Sequence, residues 1–186
     1  MKTEEIFNAV FKINIDIKND DRGFFYELYN KKKYQSFNLD NQFIQDNISF
    51  SKSKHTIRGL HYQKNPYEQS KLIFILSGSI FDVFIDIREN SKTFGEYGCV
   101  ELSKPGEGLY IPKGFLHGFC TMEPNTLVSY KVDQPYQPDN EIGVIWNDSD
   151  LSIKWPSELT SPIVSDKDNG LLSWRSFLKE MNYHEE

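Results

Sequence analysis

The chain has 186 residues, of which 27 are aromatic (14 Phe, 10 Tyr, 3 Trp), with 38% apolar and 26% charged residues. That balance excludes a disordered or collagen-like chain, and the length suits one domain, residues 1–186, with a full core. With 21 basic against 27 acidic residues the net charge is −6, which argues against a nucleic-acid binder working by bulk charge.

The first residues, Met1 to Glu5, lack the basic and apolar regions of a signal peptide, so a cytoplasmic location is expected. Phe11, Ile13, Ile15 and Ile17 alternate with Lys12, Asn14 and Asp16, the period of a half-buried strand. A short helical turn is expected around Lys31 to Phe37, and Arg58 to Gln63 is strand-like. The longest apolar run, Leu72 to Leu76, is far short of a membrane span. It stops at Ser77-Gly78-Ser79 and resumes from Ile80 to Arg88, which predicts a hairpin of buried strands with Gly78 at positive φ.

Further strands are expected over Gly98–Leu102, Gly108–Ile111, His117–Met122, Asn125–Val132 and Ile142–Trp146, separated by breaks rich in Pro and Gly. Cys99 and Cys120 stand in apolar strand contexts and read as reduced core residues. Only the end departs from the pattern: Leu171, Trp174, Leu178 and Met181 form a helical stripe. About ten short strands followed by a helix predict an all-β jelly-roll (cupin-type) barrel with a C-terminal helix.

Four histidines need explaining: His55, His61, His117 and His184. His184 lies in a polar tail and reads as solvent-exposed. The glycines around His117 suggest close approach to a ligand or another backbone. His55 and His61 could share one face of a continuous strand, but Gln63 stands where a second metal ligand would be expected, so a metal site is disfavoured. No Walker or dinucleotide phosphate motif and no nucleophile elbow is present. Read singly, Lys71 fits a solvated residue at a strand start, Tyr130 a core ring and Asp168 a helix N-cap ahead of Leu171. Asp82, inside an apolar run, is either a partner to a site residue or a buried strand-end group.

Several motifs in order resemble the dTDP-4-dehydrorhamnose 3,5-epimerase family. They are Asp21-Arg22-Gly23-Phe24-Phe25-Tyr26-Glu27, Gln45-Asp46-Asn47 and Arg58-Gly59-Leu60-His61-Tyr62-Gln63. They continue through Lys71-Leu72, Phe81-Asp82-Val83, Asp86-Ile87-Arg88, Ser91-Lys92-Thr93-Phe94-Gly95 and Ile111 to Phe119. Tyr130-Lys131, Trp146-Asn147-Asp148, Ile153-Lys154-Trp155-Pro156 and Ser165-Asp166-Lys167-Asp168 complete the series.

The resemblance implies a homodimeric cupin-type epimerase that needs no metal or organic cofactor and contacts neither nucleic acid nor membrane. Its substrate is a nucleotide-linked 4-keto-6-deoxyhexose, and ring carbons beside the ketone are inverted through an enolate. It makes His61 the base, held by Asp168, Lys71 the cation at the enolate oxygen, and Tyr130 the acid on the opposite face. It further implies that Arg22, Arg58 and Lys167 meet the diphosphate and that Tyr136 stacks on the thymine. Glu27, Gln45, Asp46, Asn47, His117 and Glu141 complete the pocket, with Arg22 and Glu27 able to act across a dimer interface. Two departures stand out: Glu68-Gln69-Ser70 before Lys71, and Leu116 where a small residue is common. The competing readings are a non-catalytic sugar-nucleotide-binding barrel and a metal-dependent cupin enzyme.

Overall fold

The computed structural model describes residues 1–37, 39 and 42–183, so His184 lies outside the described residues. The strands are β1 (Lys2–Phe7), β2 (Val10–Asn14), β3 (Lys18–Asp20), β4 (Gly23–Phe25), β5 (Gln45–Ser51), β6 (Ile57–Gln63) and β7 (Lys71–Ser77). They continue with β8 (Ile80–Asp86), β9 (Tyr97–Leu102), β10 (Glu107–Ile111), β11 (Phe115–Thr121), β12 (Thr126–Val132) and β13 (Glu141–Gly143). The helices are α1 (Lys31–Gln35), α2 (Asp166–Asn169) and α3 (Trp174–Glu180).

Two antiparallel sheets face each other, in the orders β1-β2-β10-β7-β12-β5 and β13-β6-β11-β8-β9, and β3 pairs with β4 in a separate ribbon. The all-β jelly-roll expectation holds. The expected hairpin over residues 71–88 does not: β7 and β8 belong to different sheets, so Ser77-Gly78-Ser79 is a corner between layers. Gly78 does take positive φ, 76°.

This corner follows from how the apolar run is used. Ile73 and Ile75 of β7 point between the sheets and pack with Ile80, Phe84, Phe115 and Phe119. Leu72 and Phe74 point the other way, into a second cluster with Tyr34, Leu39 and Tyr110. Both faces of β7 are covered, so its sequence is continuously apolar rather than alternating. On the outer side of the second sheet, Leu60, Val83, Ile85 and Leu116 pack under Trp174, Phe177 and Leu178 of α3.

The terminal helical stripe is therefore seated on the barrel as expected, although only its middle is helical; Leu171 precedes α3 and Met181 caps it. Cys120 is buried, but Cys99 is exposed on the edge strand β9, contrary to the expected core position. The short helix α2 is fixed from both sides. Ile57 N–H donates to the Ile163 carbonyl (2.9 Å), and Ile145 N–H donates to the Leu172 carbonyl (2.9 Å). Ser165, not Asp168, supplies the N-cap of α2, and Ser173 caps α3.

Candidate active site

Between the two sheets a cavity of about 620 Å³ opens to one end of the barrel. Strand periodicity selects its lining. His61 and Gln63 face inward on β6, while Leu60, before His61, faces the outer cluster; Tyr62, between them, packs in that cluster and also reaches the edge of the cavity. His117 on β11 is the register partner of His61, which brings the two imidazoles into the same cavity. The two strands approach closely because both carry glycine: a Cβ on Gly118 would lie 2.7 Å from the Arg58 carbonyl oxygen. Gly118 thus answers to a neighbouring backbone, whereas a Cβ on Gly114 would meet the side chain of Arg88.

His61 Nε2 lies 2.8 Å from Asp168 Oδ1, and Asp168 Oδ2 accepts the Gly59 N–H at 3.0 Å. Burial pushes the Asp168 carboxyl up, but the bonds from His61 and Gly59 and the nearby Lys167 charge outweigh it and hold it below the usual carboxylate range. An ionised carboxylate only accepts, so His61 donates from Nε2 to Asp168 and Nδ1 is the ring nitrogen left to the cavity. That nitrogen lies 3.8 Å from Glu141 Oε1.

A second pair stands beside the first. His117 Nε2 lies 2.9 Å from Asp82 Oδ2, and Lys71 Nζ lies 3.5 Å from His117 Nδ1. Burial lowers the His117 pKa, with the Lys71 charge adding to that and Asp82 opposing it. A neutral His117 then accepts from Lys71 at Nδ1 and donates to Asp82 at Nε2. Burial also lowers Lys71, to about 8, against the pull of Asp82 and Glu141. Asp82 is thereby a partner of a site residue; burial raises its pKa while His117 and Lys71 pull it back.

From the facing sheet, Tyr130 on β12 reaches the same cavity. Burial raises its pKa despite the nearby Arg58 charge, so it stays a phenol at neutral pH. Toward solvent, Glu141 accepts from the Tyr136 hydroxyl (2.8 Å) and pairs with Lys167. Burial raises the Glu141 pKa, but those two bonds outweigh it and keep it low. Arg58 donates from Nε to Ser51 Oγ (3.3 Å) and from Nη2 to the Phe50 carbonyl (3.0 Å), leaving other N–H groups free for an anion.

Comparison with known proteins gives the same reading. The family model for dTDP-4-dehydrorhamnose 3,5-epimerase matches residues 4–176. The chain belongs to the dTDP-4-dehydrorhamnose 3,5-epimerase family. It is 42% identical over 156 residues to the Escherichia coli enzyme of that name, covering 83% of each chain. A crystal structure of the Bacillus anthracis enzyme with TDP and PPi bound superposes with a TM-score of 0.87 at 45% identity, covering 92% of this chain and 99% of that one. The 3,5-epimerase from Legionella pneumophila, in complex with dTDP-4-keto-L-rhamnose, gives 0.90 at 34% identity, covering 100% and 98%. The expected isomerase class holds with the family.

Of the residues the family resemblance implied, His61, Lys71, Asp168, Arg58, His117, Tyr130, Tyr136, Glu141 and Lys167 all line the cavity. Five do not. Arg22 is an exposed residue of the β3–β4 turn, paired with Asp20 at 2.7 Å, and Glu27 accepts from Asn30 (2.9 Å) and pairs with Lys33. On β5, Gln45 donates to Asn47 (2.8 Å) and accepts the Tyr136 N–H (3.1 Å), while Asp46 pairs with Lys131. Gln45 therefore acts behind Tyr136 in this chain.

Ser49, Phe50, Gln69 and Ser165 also line the cavity, and of these Ser49 and Phe50 belong to none of the sequence motifs. The alternation of β5 was the available signal for Ser49, since Asn47, Ser49 and Ser51 share one face. His55 sits in a turn at φ 61° ahead of β6, so it does not continue the strand of His61. Among the described residues no group of three or more His, Cys, Asp or Glu side chains is placed to hold a metal ion. Nor is any helix among them long and apolar enough to cross a membrane.

Proposed function

We propose that this chain epimerises a nucleotide-linked, dTDP-type 4-keto-6-deoxyhexose, inverting C3, C5 or both, in the supply of deoxysugars for cell-surface polysaccharide. The observation that carries the reading is the placing of two proton-transfer groups on facing sheets: the Asp168-held His61 on one and Tyr130 on the other. The ketone acidifies the adjacent C–H bonds because the resulting carbanion delocalises as an enolate. His61 Nδ1 removes that proton, the Lys71 ammonium meets the developing oxygen charge, and Tyr130 returns a proton from the other face. His117 and Asp82 orient Lys71.

Outside the reacting centre, Arg58 and Lys167 serve the diphosphate, where guanidinium and ammonium donors suit phosphate oxygens. Tyr136, exposed at the mouth, offers a ring for the base to stack on. The working unit is a homodimer. Phe24 and Phe25 on the β3–β4 ribbon are 59% and 67% exposed, and Ile48 and Phe50 on the edge strand β5 are 63% and 55% exposed, apolar surface on two elements that a second copy would cover. Arg22, in the turn of that ribbon, and Glu27, just after it, would then serve the partner's cavity, with Asp46 and Asn47 near the interface, while Gln45 supports Tyr136 in its own chain.

Incubation with dTDP-4-keto-6-deoxyglucose in deuterated water, followed by NMR, tests the reaction. Deuterium at C3 or C5 and an inverted product are expected, and the number of labelled carbons gives the number of centres handled. Absence of exchange at both carbons would overturn the reading. Sedimentation of the protein and of Phe25→Asp tests the assembly: a dimer is expected for the former and a monomer for the latter.

A further inference from the structure

The ring of Tyr136 is carried by the connection from β12 to β13, and residues 133–137 of that connection form neither helix nor strand. Pro135 and Pro138 bracket Tyr136-Gln137 and have no N–H groups of their own. The backbone there is held by glutamine side chains from elsewhere in the chain. Tyr136 N–H donates to Gln45 Oε1 (3.1 Å), and Gln137 N–H donates to Gln63 Oε1 (2.7 Å). The Pro135 carbonyl accepts from Gln63 Nε2 (3.2 Å), and the Gln134 carbonyl accepts from Gln69 Nε2 (2.9 Å).

Gln63 is at the centre of this arrangement. It closes β6 two residues after His61, lines the cavity and is only 5% exposed. Its bonds to Pro135 and Gln137 fall on the two peptides either side of Tyr136. The other amide proton goes to the Tyr67 carbonyl (2.7 Å), which ties the side chain to the turn after its own strand. Both donors and the acceptor are therefore engaged. Across the sheet Gln63 is the register partner of Glu141, which accepts the Tyr136 hydroxyl at 2.8 Å. Backbone and hydroxyl of Tyr136 are thus fixed to neighbouring positions of one sheet.

We propose that Gln63 is a positioning residue for the nucleotide: by clamping both peptides of Tyr136 it sets that ring at the cavity mouth. This role rests on the reading of Tyr136 as the ring on which the base stacks, and adds the group that holds it. A loop ordered beforehand loses less freedom when the base settles on it, and the difference appears as affinity. Only an amide suits the position, because one side chain must accept from an N–H and donate to two carbonyls. A carboxylate would only accept, and a thioether of similar length donates to neither carbonyl.

Calorimetry with dTDP on Gln63→Met, Tyr136→Ala and the double variant tests the role. Gln63→Met should weaken dTDP about tenfold, within the range covered by loss of one base–aromatic stack. KM for the nucleotide-linked substrate should rise by a similar factor, with kcat held within about threefold. Since Gln63 acts through Tyr136, its substitution should weaken dTDP no further in the Tyr136→Ala background. If Gln63→Met does not fold, Gln63→Glu, which keeps the acceptor and loses both donors, should still weaken dTDP in the same dependent way. Unchanged dTDP affinity in the Gln63 variant, or full additivity with Tyr136→Ala, would overturn the inference. Unchanged affinity in Tyr136→Ala would overturn the stacking itself, and the role of Gln63 with it. Binding needs no turnover, so a failure of the epimerase reading is seen separately, as absence of deuterium exchange by the parent protein.

Discussion

Asp168 holds both the side chain and the backbone of the strand that carries His61: one carboxylate oxygen meets His61 Nε2 at 2.8 Å and the other accepts the Gly59 N–H at 3.0 Å. The two residues are 107 positions apart in the chain. An amide at 168 could still accept from one of these groups but would not carry the charge that fixes the tautomer. Asp168→Asn is expected to lower the exchange rate by about a hundredfold to ten-thousandfold. Nucleotide binding, measured by calorimetry, should stay within a few-fold.

The same carboxylate gives an acid-side stability prediction. Its folded pKa is depressed, burial being outweighed by the bonds from His61 and Gly59, so the unfolded chain takes up the proton first as pH falls. The stabilisation is complete above the ordinary carboxylate value of about 4 and disappears as pH falls through the lower folded value. The melting temperatures of the parent protein and Asp168→Asn should therefore converge between pH 6 and pH 3. A constant difference across that range would show that the charge on Asp168 contributes nothing.

Lys71 sets the alkaline side. Burial brings its pKa down to about 8, partly countered by Asp82 and Glu141, so the cation that meets the enolate is lost as pH rises through that value. A kcat profile should fall above about pH 8. Lys71→Arg, which stays charged, should flatten that limb at a lower plateau. For stability the sign is opposite: the unfavourable burial of the cation is relieved as pH rises from about 8 toward the ordinary lysine range.

Tyr130 lies on the sheet facing His61, so its loss should separate the two halves of the reaction. Tyr130→Phe is expected to keep deuterium exchange within about tenfold while formation of inverted product falls about a hundredfold or more. Exchange and product ratio are read from the same NMR sample. Full inversion by the variant would remove Tyr130 from the acid role.

Gly118→Ala tests the seam between β6 and β11. The added Cβ would sit 2.7 Å from the Arg58 carbonyl oxygen and 2.8 Å from Leu60 Cδ2, and a strand backbone has no room to yield. A loss of about 3 kcal/mol or more is expected from denaturant unfolding. Activity should fall with it, since His61 and His117 face each other across this seam.

Much of the fold could be read from local pattern, and the errors have physical causes. Strand positions such as 71–77 and 126–132 were legible because apolar runs end at turn residues. Their partners were not: a strand buried on both faces, as β7 is, has no polar side to mark which layer it joins, so its sequence neighbour reads as its hydrogen-bonded neighbour. Cys99 reads as core until β9 is known to be an edge strand.

In the site, no single residue announced itself. Lys71, Tyr130 and Asp168 each had an ordinary explanation, and the order of motifs along the chain singled them out together. Ser49 stayed hidden because a small polar residue in a strand carries no chemistry until its face is known. The motif of Arg22 and Glu27 does not say which chain's cavity they serve; in the single chain Arg22, in the turn of the β3–β4 ribbon, pairs with Asp20, and Glu27, just after the ribbon, pairs with Lys33.

The sheet order also bears on how the molecule comes into being. β7 lies between β10 and β12, and β6 between β11 and β13, so each cavity wall waits for chain made much later. Distant pairings of this kind incur loop-closure entropy before contacts reward it, which places such topologies among the slower folders, on the millisecond-to-second scale. Asp168, last in sequence among the cavity side chains, reaches His61 only after both sheets exist. Catalysis in a refolding experiment should consequently lag behind the recovery of β-sheet signal, and a ribosome-bound chain stopped before residue 168 should be without the carboxylate that holds His61.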